Sequence, residues 1–210
     1  MAYLATFSRV KEIFVMRVAV YMGAHYGKNP HFRTAADELG VWLAKNGHSL
    51  VYGGGSVGLM GEVARAVLDN GGEVIGITPG FFITAEEILE ECTTLEVVPN
   101  MSARRSRMIE YGEAYIALPG GMGTIDEISE CMALKRLGLF GDIDRPIILY
   151  NIDGYYDNLV KMFDVMVEED LYKKKDWDKV FICSNIDEVA AALETAGKQD
   201  VTRTTLYVEK

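Results

Sequence analysis

The sequence predicts an α/β protein with a three-layer, Rossmann-like, doubly wound and mostly parallel sheet flanked by helices. Three observations carry that expectation. The candidate strands are apolar almost throughout, as strands covered on both faces must be. Segments of helical periodicity fill the intervals between them. Clusters of glycine fall directly after strands, where such folds turn into helices and bind their ligands.

Taken in order, strands are expected at Val18–Met22, Ser49–Tyr52, Val74–Thr78, Leu95–Val98, Ala114–Leu118, Ile147–Tyr150 and Val180–Ile182. Helices are expected near 32–46, 59–70, 102–111, 124–137, 155–169 and 186–196. Right-handed crossovers join such units into one sheet. Residues 1–15 read as an N-terminal extension. Arg9, Lys11 and Glu12 interrupt its apolar character and no cleavage site follows, unlike a signal peptide. Residues 16–197 form one nucleotide-binding domain, within the size that one hydrophobic core supports. Residues 198–210 form a polar tail, either loosely attached or pairing as an edge strand over Thr205–Val208.

Composition narrows the function. The 210 residues carry a net charge of −10 at pH 7. That argues against nucleic acid as a partner, since polyanion binding needs a basic surface. One small phosphate is still compatible, because backbone amides and one or two Arg bind it locally. No apolar run reaches membrane-spanning length. Cys92, Cys131 and Cys183 form neither a CxxC pair nor an even framework, so they read as reduced core residues of a cytoplasmic protein. His25, His31 and His48 lack HExxH-type spacing, so no metal is expected.

Three segments carry chemistry. The first is Pro119-Gly120-Gly121-Met122-Gly123-Thr124, between a strand and a helix. Glycines let the backbone approach a ligand, and a helix start offers unpaired amides and a positive dipole end. Gly120, Gly121, Met122, Gly123 and Thr124 are therefore candidate phosphate ligands. No GK[ST] follows, so the segment is not a Walker A loop. Thr124 also fits a helix N-cap, and Thr124-x-x-Glu127 fits a capping box. On spacing alone Glu127 reads as structural slightly more often than catalytic.

The second segment is Gly53-Gly54-Gly55-Ser56-Val57-Gly58-Leu59-Met60-Gly61. It contains GxGxxG, yet the acidic residue that a dinucleotide ribose needs, Glu73, sits at the wrong end of the next strand. A phosphate- or ribose-facing loop fits better, with Gly54 and Gly55 as candidate ligands. The third segment, Met101-Ser102-Ala103-Arg104-Arg105-Ser106-Arg107, places three Arg just past a strand end in an acidic chain. Arg is unfavourable at a helix N-terminus, so a cluster there points to an anionic partner. Helical spacing puts Arg104 and Arg107 on one face and Arg105 on another.

Together these segments resemble the LONELY GUY family of cytokinin-activating phosphoribohydrolases, a family also labelled as lysine decarboxylases. Its hallmark PGGxGTxxE is matched in full by Pro119–Glu127, and its MHxRK in part by Met101–Arg105. The likeness runs from Arg17 to about Leu193 and includes Gly53–Gly61 and Asp153-Gly154-Tyr155-Tyr156. Ser102 stands in place of the family His, Arg105 in place of Lys, and Asp126 where many members have Glu. Ala24-His25 replace a Ser pair. Leu134 and Arg136 depart from the Trp and Gln of plant members in a region that helps form the base pocket.

The resemblance implies a homodimer with sites near the interface and hydrolysis of a nucleoside 5′-monophosphate to free base and ribose 5-phosphate. The base is a purine, with N6-prenylated adenine one candidate. The resemblance implies Arg104 and Glu127 as catalytic residues and Arg105 as support for the anion. It places a substrate-contacting Glu at Glu86 or Glu87. No cofactor is implied. The alternative on the same fold is a non-enzymatic nucleotide or cofactor carrier. A pyridoxal-dependent decarboxylase would need a Schiff-base lysine in the site, and Lys28 and Lys135 are not placed for it.

Overall fold

Strand β1 (Arg17–Tyr21) lies at the centre of a seven-stranded parallel sheet of order β4-β3-β2-β1-β5-β6-β7. The computed structural model describes residues 15–83, 88–141 and 145–195. The other strands are β2 (Ser49–Tyr52), β3 (Val74–Pro79), β4 (Thr94–Val98), β5 (Ala114–Ala117), β6 (Ile147–Tyr150) and β7 (Val180–Cys183). The helices are α1 (Pro30–Lys45), α2 (Gly58–Asp69), α3 (Gly80–Ile83), α4 (Met101–Tyr111), α5 (Met122–Arg136), α6 (Asp157–Glu168), α7 (Lys174–Trp177) and α8 (186–195). A 3-10 turn covers Ile152–Gly154.

The five inner strands are buried on both faces, whereas the edge strands β4 and β7 are only partly covered. Along β1, Val18 and Val20 face one core with Leu39 and Leu43 of α1, Val63 of α2 and Leu193 of α8. Ala19 and Tyr21 face the other, with Met108 of α4, Ile128 and Cys131 of α5 and Leu159 of α6. The period of two in a strand produces this split, and burial on both sides explains the absence of polar alternation.

Capping residues set the helix starts. Asn29 caps α1, accepting from the His31 N–H at 3.0 Å, and Pro30 occupies the first turn, where its missing N–H costs nothing. Asn100 caps α4 by accepting from the Ala103 N–H at 2.9 Å. The strands agree with the sequence expectation to within a residue. Helices α1 and α5 start two residues before the expected positions and α6 two residues after; the shift that bears on the site is that α5 starts at Met122 and not at Thr124. Its N-cap is Gly121, with no side-chain hydrogen bond. Thr124 is therefore the third residue of the helix, and the Thr124–Glu127 capping box does not form. The four-residue helices α3 and α7 are too short to leave a periodic pattern. Thr205–Val208 and residues 1–14 lie outside the described residues.

The strand order reverses between β1 and β5, because β1 to β4 extend one way and β5 to β7 the other. Loops after these two strands must diverge there and open a crevice at their carboxyl ends. The Gly23 N–H donates to the Pro119 carbonyl at 3.1 Å and ties the two loops together.

Candidate active site

A cavity of about 510 Å³ occupies this crevice. The β1–α1 loop (Gly23, Ala24, His25, Tyr26), the β2–α2 loop (Gly53, Gly55, Val57) and the β5–α5 turn (Pro119, Gly120, Gly121, Gly123, Thr124) wall it. Met101, Arg104 and Glu127 complete the polar end. Its volume falls in the range of small-molecule sites.

Arg104 and Glu127 meet in the wall. Nη2 of Arg104 donates to Oε1 of Glu127 at 2.8 Å, with both side chains nearly buried at 13% and 9% exposure. Burial pushes the Glu127 carboxyl above its ordinary range, and the Arg104 guanidinium pulls it back down. Two buried neutral groups lie near Glu127. Tyr21 and Cys131 are both buried, with the Tyr21 hydroxyl 3.4 Å from the Cys131 sulfur. Burial pushes the Cys131 thiol up to about 12. Arg104 keeps its Nε buried with no hydrogen-bond partner among the described residues. A nearly buried ion pair beside buried neutral groups has low effective dielectric, so a charge developing beside it is felt strongly.

The three-arginine cluster divides. Only Arg104 lines the cavity. Arg105 turns toward α5, pairing with Asp126 at 3.5 Å and Glu130 at 3.2 Å. Arg107 pairs with Glu96 of β4 at 2.7 Å and with Glu110 at 2.6 Å. Arg104 and Arg107 are three apart, yet their partners lie on different elements, one on α5 and the other on β4. Acidic residues of the protein hold all three guanidinium groups, and only the Arg104–Glu127 pair lines the cavity, which the local sequence could not reveal.

The other expected contacts also sort. Gly120, Gly121, Gly123, Thr124 and Gly55 line the cavity. Met122 does not: its side chain is 82% exposed, because it is the first residue of α5 and projects outward. Gly54 faces β3 instead, with the Thr78 side chain 3.1 Å from where its Cβ would stand. Its carbonyl accepts from the Leu89 N–H at 2.9 Å. Leu134 and Arg136 lie outside the lining. Glu86 and Glu87 lie outside the described residues. Tyr26, Phe32, Phe82, Ile88 and Tyr155, none of them named from the sequence as a site residue, line the apolar part. They come from separate elements and share no local pattern. No lysine lines the cavity among the described residues, so the structure offers no Schiff-base nitrogen there.

The chain has relatives among known proteins. A family profile described as "Possible lysine decarboxylase" matches residues 60–193. A probable cytokinin riboside 5′-monophosphate phosphoribohydrolase of Oryza sativa subsp. japonica is 38% identical over 182 residues, covering 87% of this chain and 78% of that protein. A cytokinin riboside 5′-monophosphate phosphoribohydrolase of Arabidopsis thaliana is 41% identical over 153 residues, covering 73% and 70%. Among solved structures, the molybdenum cofactor carrier protein of Chlamydomonas reinhardtii superposes with a TM-score of 0.65 at 22% identity, over 86% of this chain and 98% of that one. The last likeness speaks to fold alone. Identity of this extent, over most of this chain and of each relative, means that the chain belongs to the LONELY GUY family of cytokinin riboside 5′-monophosphate phosphoribohydrolases.

Proposed function

We propose that the protein hydrolyses the N-glycosidic bond of a purine nucleoside 5′-monophosphate, releasing the free base and ribose 5-phosphate. The observation that carries this reading is the nearly buried Arg104–Glu127 pair in the wall of the cavity that the Gly120–Thr124 turn opens into. A hydrolase of this class must hold a phosphate and stabilise positive charge a sugar's length away. The two features meet those needs.

The 5′-phosphate is assigned to the α5 start, where the first-turn amides lack intrahelical partners and the helix dipole is positive. Gly120, Gly121, Gly123 and Thr124 present that backbone, with Gly55 across the cavity. In the reaction the C1′–N bond breaks and its electron pair leaves with the base. The oxygen of a water bonds to C1′, and a water proton ends on the base nitrogen. The transition state has oxocarbenium character at C1′, as in glycoside hydrolysis. The Glu127 carboxylate stabilises that charge and orients the water. Burial lifts its proton affinity toward the working pH, which suits a group that handles protons. Arg104 holds Glu127 in place and stabilises the departing base. Met22, Phe32, Leu59, Met60, Phe82 and Ile88 give the base an apolar seat, and N6-prenylated adenine is one candidate.

The same reading includes a cytoplasmic homodimer with the site near its interface. Free Cys92, Cys131 and Cys183 suit a reducing compartment. Met122, Leu137 and Leu139 leave apolar surface exposed on and just beyond α5, the helix that carries Glu127. Sedimentation velocity tests the dimer. Incubation with AMP and with N6-prenylated AMP, followed by chromatography, tests the chemistry. Free base and ribose 5-phosphate in equal amounts are expected. Tight binding without any release of base would overturn the hydrolase in favour of a carrier.

A further inference from the structure

The segment after β6 takes no part in the chemistry above, yet it grips the phosphate turn at two points. Tyr156 is buried, and its hydroxyl donates to the Leu118 carbonyl at 2.6 Å. Tyr155 stands at the cavity edge, and its hydroxyl donates to the Gly120 carbonyl at 2.5 Å. The carbonyl between them, Pro119, accepts from the Gly23 N–H. Three successive carbonyls of the turn are thus each held by a donor from another element.

In a trans peptide the C=O and the following N–H point in opposite directions within one plane. No cis peptide bond occurs among the described residues. Fixing the Gly120 carbonyl therefore fixes the direction of the Gly121 N–H. Gly121 has nothing within 4 Å of where its Cβ would stand, so no packing performs that task at this residue.

The gripping segment is itself anchored. The Tyr155 ring packs edge-on against Phe32 and Tyr156, with centroids 5.3 and 4.9 Å away. Asp153 adopts the left-handed region at φ 51, and its carboxylate accepts from Asn29 Nδ2 at 2.7 Å and pairs with His31 Nδ1 at 2.7 Å. Asn29 is the cap of α1. The tyrosines therefore stand on a support tied to another helix of the site.

We propose that Tyr155 is a positioning residue for phosphate recognition. Through the Gly120 carbonyl it aims the amides that begin α5 at the 5′-phosphate. The proposal rests on the nucleotide reading above.

Tyr155→Phe removes one hydroxyl and keeps the ring contacts, so the fold is retained. Two measurements test it. In the ligand-free protein, the Gly121 amide should become more mobile, its backbone order parameter falling from the rigid value of about 0.85 to below about 0.6. Ribose 5-phosphate should bind about tenfold more weakly, with the KM for AMP rising in step and kcat within about twofold. An unchanged Gly121 order parameter in the ligand-free variant overturns the proposal, because a tyrosine that only touches the ligand would leave it unaltered. Unchanged affinity for ribose 5-phosphate also overturns it, and leaves the functional reading intact. Wild-type protein that does not bind ribose 5-phosphate overturns the functional reading and this proposal with it.

Discussion

The two glycine loops that wall the cavity look alike in sequence and differ in purpose. In Gly53–Gly61 the glycines answer to the protein. A Cβ on Gly58 would stand 2.3 Å from the Ala24 carbonyl, and its φ is +61. One on Gly61 would stand 2.0 Å from the Ser56 oxygen. One on Gly53 would meet Met60 at 3.0 Å and Arg104 Nη1 at 3.2 Å. In the turn before and at the start of α5 the pattern is different. Gly121 and Gly123 meet nothing within 4 Å, while Gly120 is packed against Thr124. Missing side chains make room for neighbouring protein in one loop and leave open space at the other. Glycine density alone therefore does not mark a ligand site. The open space beside Gly121 and Gly123 at a helix start is what supports the proposed phosphate assignment.

The largest test of this contrast is Gly61→Ala or Gly58→Ala. Each forces backbone apart, and Gly58 adds left-handed strain, so each should cost about 3 kcal/mol. Calorimetry should show the melting temperature falling by about 6–12 °C. An unchanged melting temperature would mean that the loop has slack the contacts deny.

Gly53→Ala should act on chemistry more than on folding. Its Cβ presses on Arg104 and moves it by tenths of an ångström. We expect kcat for AMP to fall about tenfold with little change in KM, as small misplacements of catalytic groups do. Arg104 lowers the Glu127 proton affinity against the effect of burial. Its retreat raises that affinity, so the acid limb of the rate profile should move to higher pH. A shift to lower pH, or none, would separate Gly53 from the pair.

Gly123→Ala should show the smallest effect on folding, with the opposite sign. The residue lies in the first turn of α5, where Ala is the better helix former by about 1 kcal/mol. The melting temperature should rise by about 2–4 °C. The new methyl enters the space assigned to phosphate, so the KM for AMP should rise about tenfold, the worth of one charge-assisted hydrogen bond. A variant that is both more stable and fully active would remove the phosphate from this turn.

Much of the fold was legible because its signals are local. Continuous apolar runs mark buried parallel strands, and β2 and β6 fall where the sequence placed them. The candidate site was legible in part. Pro119–Glu127 announces itself by composition, but its cap could not be read. Thr124 looks like an N-cap, and only the backbone reveals that Gly121 holds that place. The arginine cluster shows the limit more sharply. Arg104, Arg105 and Arg107 are equivalent in composition, and partners on β4, α4 and α5 decide that Arg104 alone serves the cavity. Tyr155 could not be found from its neighbours in sequence, because its contact, the Gly120 carbonyl, lies 35 residues away.

Product analysis with AMP, comparing the wild type with Glu127→Gln and Arg104→Ala, tests the central claim most directly. Wild-type protein should release adenine and ribose 5-phosphate, and each folded variant should do so at least about a hundredfold more slowly, a loss typical of acid–base and electrostatic groups. Near-wild-type release by the Glu127→Gln protein would contradict the assignment of catalysis to this pair.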